Sequence, residues 1–159
     1  MQRVVLGALA GLSATMAMTA AMRHMWPRLD ARQRYPLPPR EIVGRLTPPL
    51  GARLSRLATV FAHFGFGALS GAGYGLLARY RPGGIAYGLA VWATSYLGWI
   101  PALNILKPAT HHPFERNLLM IAAHMVWGAT LSASLHELEH AVDDIFAGAP
   151  KPDAAGPEM

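Results

Sequence analysis

The residues able to do chemistry in this 159-residue chain are mostly histidines, in three groups. His63 and His124 stand alone inside long runs without Lys, Arg, Asp or Glu. An ionisable side chain within a membrane span is costly and marks a functional-site candidate. His111-His112 lie between Pro108 and Pro113, and Arg40-Glu41 close the segment Pro36–Glu41, PLPPRE. His136-Glu137-Leu138-Glu139-His140 matches H-E-x-x-H, which places two imidazoles on one helical face for zinc and a carboxylate beside them as general base. Asp143 or Asp144 would supply a third ligand. That match falls in an acidic, helix-ending segment with no second histidine-bearing helix beside it, so zinc chemistry is the alternative rather than the leading reading. The absence of cysteine excludes a thiol nucleophile, Cys-ligated zinc and iron–sulfur clusters. No nucleophile elbow, phosphate loop or dinucleotide fingerprint is present; the glycine pairs Gly65/Gly67 and Gly71/Gly75 lie inside an apolar run, not between a strand and a helix.

The elements that must position these groups are read from charge distribution. All 14 Lys/Arg and 9 Asp/Glu fall outside four segments: Val4–Met22, Leu57–Ala78, Pro82–Leu106 and Asn117–Leu135. A soluble helix carries a polar stripe; these segments carry none. The expectation is an all-α, four-transmembrane-helix bundle with spans near 4–22, 57–78, 82–106 and 117–135. Residues 1–147 then form a single membrane domain, with a disordered Pro/Ala/Gly-rich tail over 148–159. The first run exceeds the apolar core of a signal peptide and carries Gly7 and Gly11, so it is read as retained. Thr59–Ala78 is the organising helix: Gly67, Gly71 and Gly75 make a flat face for close helix approach. Gly84 and Gly88 make a second small pair in the third run, and these seams predict self-association into a homo-oligomer. Trp92, Tyr96 and Trp99 form an aromatic stripe, read as packing or an interfacial belt. Pro101 is expected to kink or end that helix.

The connection from Arg23 to Arg56 holds eight arginines against Asp30 and Glu41. Pro36, Pro38 and Pro39 favour extended backbone, and Pro39 suits the first turn of a short helix over Arg40–Leu46. There Ile42, Val43 and Leu46 share one face, which reads as an amphipathic helix in the headgroup region. The net charge of +5 is concentrated in this loop, so anionic lipid headgroups, not nucleic acid, are the expected partner. Counting Lys/Arg on each side places the first and third loops in the cytoplasm and both termini outside.

His63 lies near the start of the second span and His124 about two turns into the fourth, so both sit roughly 6–10 Å below the same surface at 1.5 Å per residue. Depth alone makes them a pair. Three roles compete: each imidazole bonded to a neighbouring helix, proton handling or small-ligand binding in a polar pocket, and axial ligation of a haem.

From Tyr35 to Leu135 the chain resembles the YagU-like family of small bacterial inner-membrane proteins. The residues that carry the likeness are YPLPPRE, the His-led glycine helix HFGFGALSGAGYG, the turn at Pro82 into a glycine-bearing span, and HMVWG. The matching positions are Pro36, Pro38, Pro39, Arg40, His63 and His124. The resemblance implies a multi-span inner-membrane protein and brings no catalytic residues. The acidic tail, HELEHAVDD, departs from the more basic end expected of that family and argues against the orientation above. The leading expectation is therefore a non-enzymatic transport, proton-responsive or stress-related component of the bacterial inner membrane, without a bound cofactor. The alternative is an enzyme, either haem-binding through His63/His124 or a zinc hydrolase through His136 and His140.

Overall fold

The computed structural model describes residues 1–48, 51–77, 80 and 83–148. The described residues are helical and contain no strand. Helix α1 is Gln2–Met25, α2 Pro38–Leu46, α3 Ala52–Leu77 and α4 Gly84–Ala93. A π-helical stretch, Thr94–Trp99, and a last turn, α5 (Ile100–Ala102), continue α4, and α6 is Phe114–Asp144. Three of these helices, the first, α3 and α6, are long and apolar enough to cross a membrane. The third charge-free run is not the uninterrupted helix expected. Its backbone turns away from helical geometry at Gly98 (φ −105°, ψ −107°), upstream of Pro101, which sits within the last turn. Proline has no N–H to return to the preceding turn, so the chain takes up the mismatch in the wider π bonds before it.

The helices assemble in antiparallel pairs set by glycine. A Cβ on Gly7 would run into the Gly71 carbonyl, one on Gly11 into that of Gly67, and one on Gly75 into that of Arg3. The α1 and α3 backbones therefore touch along three turns. The same arrangement joins α4 to α6: a Cβ on Gly84 would strike the Gly128 carbonyl, and one on Gly88 the His124 carbonyl. Gly67, Gly71, Gly75, Gly84 and Gly88 thus pack as expected of small residues, but against helices of their own chain. The seams expected to join copies are already occupied, because each glycine face finds its complement within one molecule.

The stripe Leu6, Ala10, Ala14, Met18 and Met22 of α1 is buried, together with Leu119, Met120, Ala123, Leu131 and Leu135 of α6, and forms the main core. The opposite faces remain apolar and exposed: Val5, Leu9, Leu12 and Met16 on α1, Val60, Phe61 and Leu69 on α3, and Met125 and Val126 on α6. Helices greasy on both sides match a lipid solvent rather than water.

Helix α2 starts two residues earlier than expected, with Pro38 and Pro39 in its first turn after an extended Leu37. These two prolines are helical, not polyproline-like, since their missing N–H groups fall where a helix has no acceptor for them. Ile42 and Val43 turn inward toward the bundle, while Leu46 is exposed. The tail expected to be disordered falls, beyond Gly148, outside the described residues.

Candidate functional site

Between the two glycine-packed pairs lies a cavity of about 250 Å³. Its walls come from α1 (Thr15, Met18), α3 (His63, Phe66), the α4–π helix (Trp92, Ser95, Tyr96, Trp99) and α6 (Met120, His124, Trp127), and α2 closes one end with Pro38 and Ile42. His63 and His124, paired in the sequence by depth alone, border this one space. Among the described residues no Lys, Arg, Asp or Glu lines it.

Hydrogen bonding assigns the imidazole protons. Thr19 Oγ1 lies 2.7 Å from the Thr15 carbonyl and 3.3 Å from His63 Nε2. A carbonyl only accepts, so the Thr19 proton goes there and His63 Nε2–H donates to the hydroxyl, leaving Nδ1 as the acceptor. His124 Nδ1 lies 2.8 Å from the Met120 carbonyl and must donate to it, leaving Nε2 with the lone pair. Trp127 Nε1 donates to Thr15 Oγ1 at 3.1 Å, and that hydroxyl donates to the Gly11 carbonyl at 2.7 Å. Trp99 Nε1 donates to Ser95 Oγ at 3.2 Å. Among the described residues the buried Trp92 Nε1–H finds no partner. The aromatic stripe therefore does more than pack: Trp92, Tyr96 and Trp99 all face the cavity.

Beyond Tyr96 a polar network ties the first and third loops together. Tyr96 stacks on His112 with centroids 5.6 Å apart, and Tyr35 donates its hydroxyl to His112 Nδ1 at 2.9 Å. His112 Nε2 in turn donates to the Lys107 carbonyl at 3.2 Å. At the centre is Arg116, only 1% exposed. Its guanidinium donates to the carbonyls of Gln33 (3.2 Å), Tyr35 (2.8 Å) and Pro36. It lies 3.5 Å from the Tyr35 ring centroid and 3.7 Å from Glu41 Oε1. Asn117 donates to the Ala109 carbonyl at 2.7 Å. Arg40 donates to Ser55 Oγ, pinning α2 to α3. Of the loop residues singled out in the sequence, Glu41 and His112 thus enter this network, Arg40 flanks it, and His111 is exposed beside Thr110.

Sequence reasoning missed Arg116, which reads as a flanking charge at the start of an apolar run. The signal was the neighbouring proline-rich segment, whose carbonyls need donors that prolines cannot supply.

At the other end of the bundle, Arg3 pairs with Glu139 at 3.1 Å. His136 and His140 meet edge to face, centroids 4.2 Å apart, and line an open groove with Glu139 and Asp143. Glu137, the general base the zinc motif calls for, is exposed and does not line that groove. Among the described residues no three His, Asp or Glu side chains are grouped to hold a metal ion. The motif spacing is there, but Glu139 in the groove is held by Arg3 and Glu137 points elsewhere. No protein-family model, curated protein or solved structure matches this chain.

Proposed function

We propose that this chain is a small, non-enzymatic, four-span protein of the bacterial inner membrane that binds a small molecule between its helices. The observation that carries the reading is that His63 and His124 border one uncharged cavity walled by α1, α3, α4 and α6. Ligand sites are mostly apolar clefts with a few placed polar groups, and this one has that make-up.

The third span in chain order is Gly84–Ala102, whose nineteen residues reach roughly 28 Å at 1.5 Å each, close to a bilayer core. Its pairing with α6 through Gly84 and Gly88 supports its lying across the membrane beside that helix. In this reading the arginine-rich first loop and the third loop share the cytoplasmic face, where Arg23, Arg28, Arg45 and Arg53 meet anionic headgroups and α2 lies at the interface. The likeness to the YagU-like family points the same way. The role is a transport, proton-responsive or stress-related one, with the cavity as its working part.

The test is the double variant His63→Leu/His124→Leu in lipid nanodiscs. It inserts normally and loses any pH-dependent response of the wild-type chain. An unchanged response returns both imidazoles to a purely structural role. An absorption spectrum and metal analysis of the detergent-purified chain test the enzyme alternative, which a Soret band or stoichiometric zinc would establish instead.

A further inference from the structure

The two pairs of helices are not closed against each other equally. On the α1–α6 side, packing is continuous through Ala10, Ala14 and Ala123. On the α3–α4 side, the described contacts are side-chain ones. Tyr87 donates to the Ser70 carbonyl at 2.7 Å and meets Tyr74 with centroids 5.0 Å apart. Nearer the cavity, Phe66 and Trp99 meet at 6.3 Å. Both rings line the cavity, yet Phe66 is 42% and Trp99 39% exposed. Each therefore shows one side to the interior and the other to the surroundings of the bundle. Ala62, one turn before Phe66, is also exposed and lines the cavity. Trp99 stands where the π-helical stretch ends, next to the non-helical Gly98.

The polar groups inside define what would fit. Among the described residues the buried Trp92 Nε1–H is an unused donor, and His124 Nε2 keeps a lone pair. No charged side chain among the described residues lines the wall, so an ionic ligand would lose its hydration without compensation. A hydroxyl or carbonyl group can answer the donor, a hydroxyl can also answer the lone pair, and the methionines and aliphatic residues around them accept an apolar body. About 250 Å³ lies below the 300–1,000 Å³ usual for drug-sized ligands, so any longer tail must pass out between Phe66 and Trp99.

The geometry points to a neutral, lipid-soluble molecule with a hydroxyl or carbonyl head, entering sideways from the bilayer through the Phe66–Trp99 gap. This deepens the cavity reading above and rests on it. The head engages Trp92 Nε1–H and His124 Nε2, and the body lies against Met18, Met22 and Met120.

The experiment uses the full chain in nanodiscs, with empty discs as the blank and three probes at neutral pH. These are 2-naphthol (neutral, with a hydroxyl), 2-methylnaphthalene (neutral, without one) and 2-naphthoate (charged). Equilibrium dialysis should show 2-naphthol bound above the blank and more than about tenfold tighter than 2-methylnaphthalene, since the second answers neither Trp92 nor His124. 2-Naphthoate should stay at the blank level. His124→Leu should reduce the preference for the hydroxyl by about tenfold while keeping 2-methylnaphthalene bound. Association is followed by energy transfer from tryptophan to 2-naphthol. Ala62→Trp, which fills the gap, should slow it at least severalfold, and Phe66→Ala should speed it.

Preferential binding of 2-naphthoate, or association that neither gap variant changes, overturns this inference while the cavity reading stands. Failure of every probe to bind above the blank overturns both.

Discussion

The α1–α3 contact and the α3–α4 contact use the same helix α3 in opposite ways. On one face, Gly67, Gly71 and Gly75 bring backbone against backbone. On the other, Phe66, Ser70 and Tyr74 hold α4 at the distance of aromatic rings. The first leaves no room for a ligand. The second spaces the helices and leaves the cavity. Small residues therefore fix the frame, and large ones set the width of the opening, along a single helix whose faces are assigned by the order of residues.

The largest test of that contrast exchanges the two kinds of contact. Gly71→Leu places a side chain against the Gly7 carbonyl and Gly11 backbone, which cannot move without parting α1 from α3. It should destabilise the bundle by more than about 4 kcal/mol, seen as loss of the folded species in a thermal unfolding series in detergent. Gly65→Leu, with nothing near its Cβ, should change stability by less than about 0.5 kcal/mol. Equal behaviour of the two would dissolve the distinction.

Next comes the polar network that ties the first and third loops together. Arg116→Met removes the donors to Gln33, Tyr35 and Pro36 and leaves Glu41 facing nothing. A loss of about 3 kcal/mol is expected, together with faster proteolysis in the loop before α2. Lysine should not restore stability, because one ammonium cannot reach three carbonyls as a planar fork does. Within the cavity, His124→Leu should weaken 2-naphthol by about tenfold, or roughly 1.4 kcal/mol, in equilibrium dialysis. In the wild-type chain the same affinity should fall as pH is lowered, because a protonated Nε2 donates where the neutral ring accepts. The His124→Leu chain should show no such slope. The smallest effect lies at the far end: Arg3→Gln breaks an exposed pair with Glu139 and should cost no more than about 0.5 kcal/mol, reduced further by salt.

Particular residues show how far the sequence could be read. His63 and His124 were paired from depth because a charge-free helix has a fixed rise, and depth is a property of one helix at a time. Arg116 was hidden because its role depends on the carbonyls of Gln33, Tyr35 and Pro36, some eighty positions earlier. The break at Gly98 was likewise hidden: the third run has the composition of a simple span, and Pro101 was the visible suspect. The H-E-x-x-H spacing was legible, but its general base fell outside the groove because Glu139, not Glu137, shares the groove-lining side of α6 with the two imidazoles.

The amino-acid order alone determined where helices run and that their outer faces are apolar, since each residue's preference for lipid or water acts independently of its neighbours in space. It also fixed the spacing of the glycines, a matter of helical periodicity. Only the tertiary structure decided that those glycines meet their own chain, that α3 and α4 stand apart on aromatic rings, and that the space between them is uncharged. Those outcomes depend on pairs of residues far apart in the chain, matched in shape to a fraction of an ångström, and no single run of sequence carries both members of a pair.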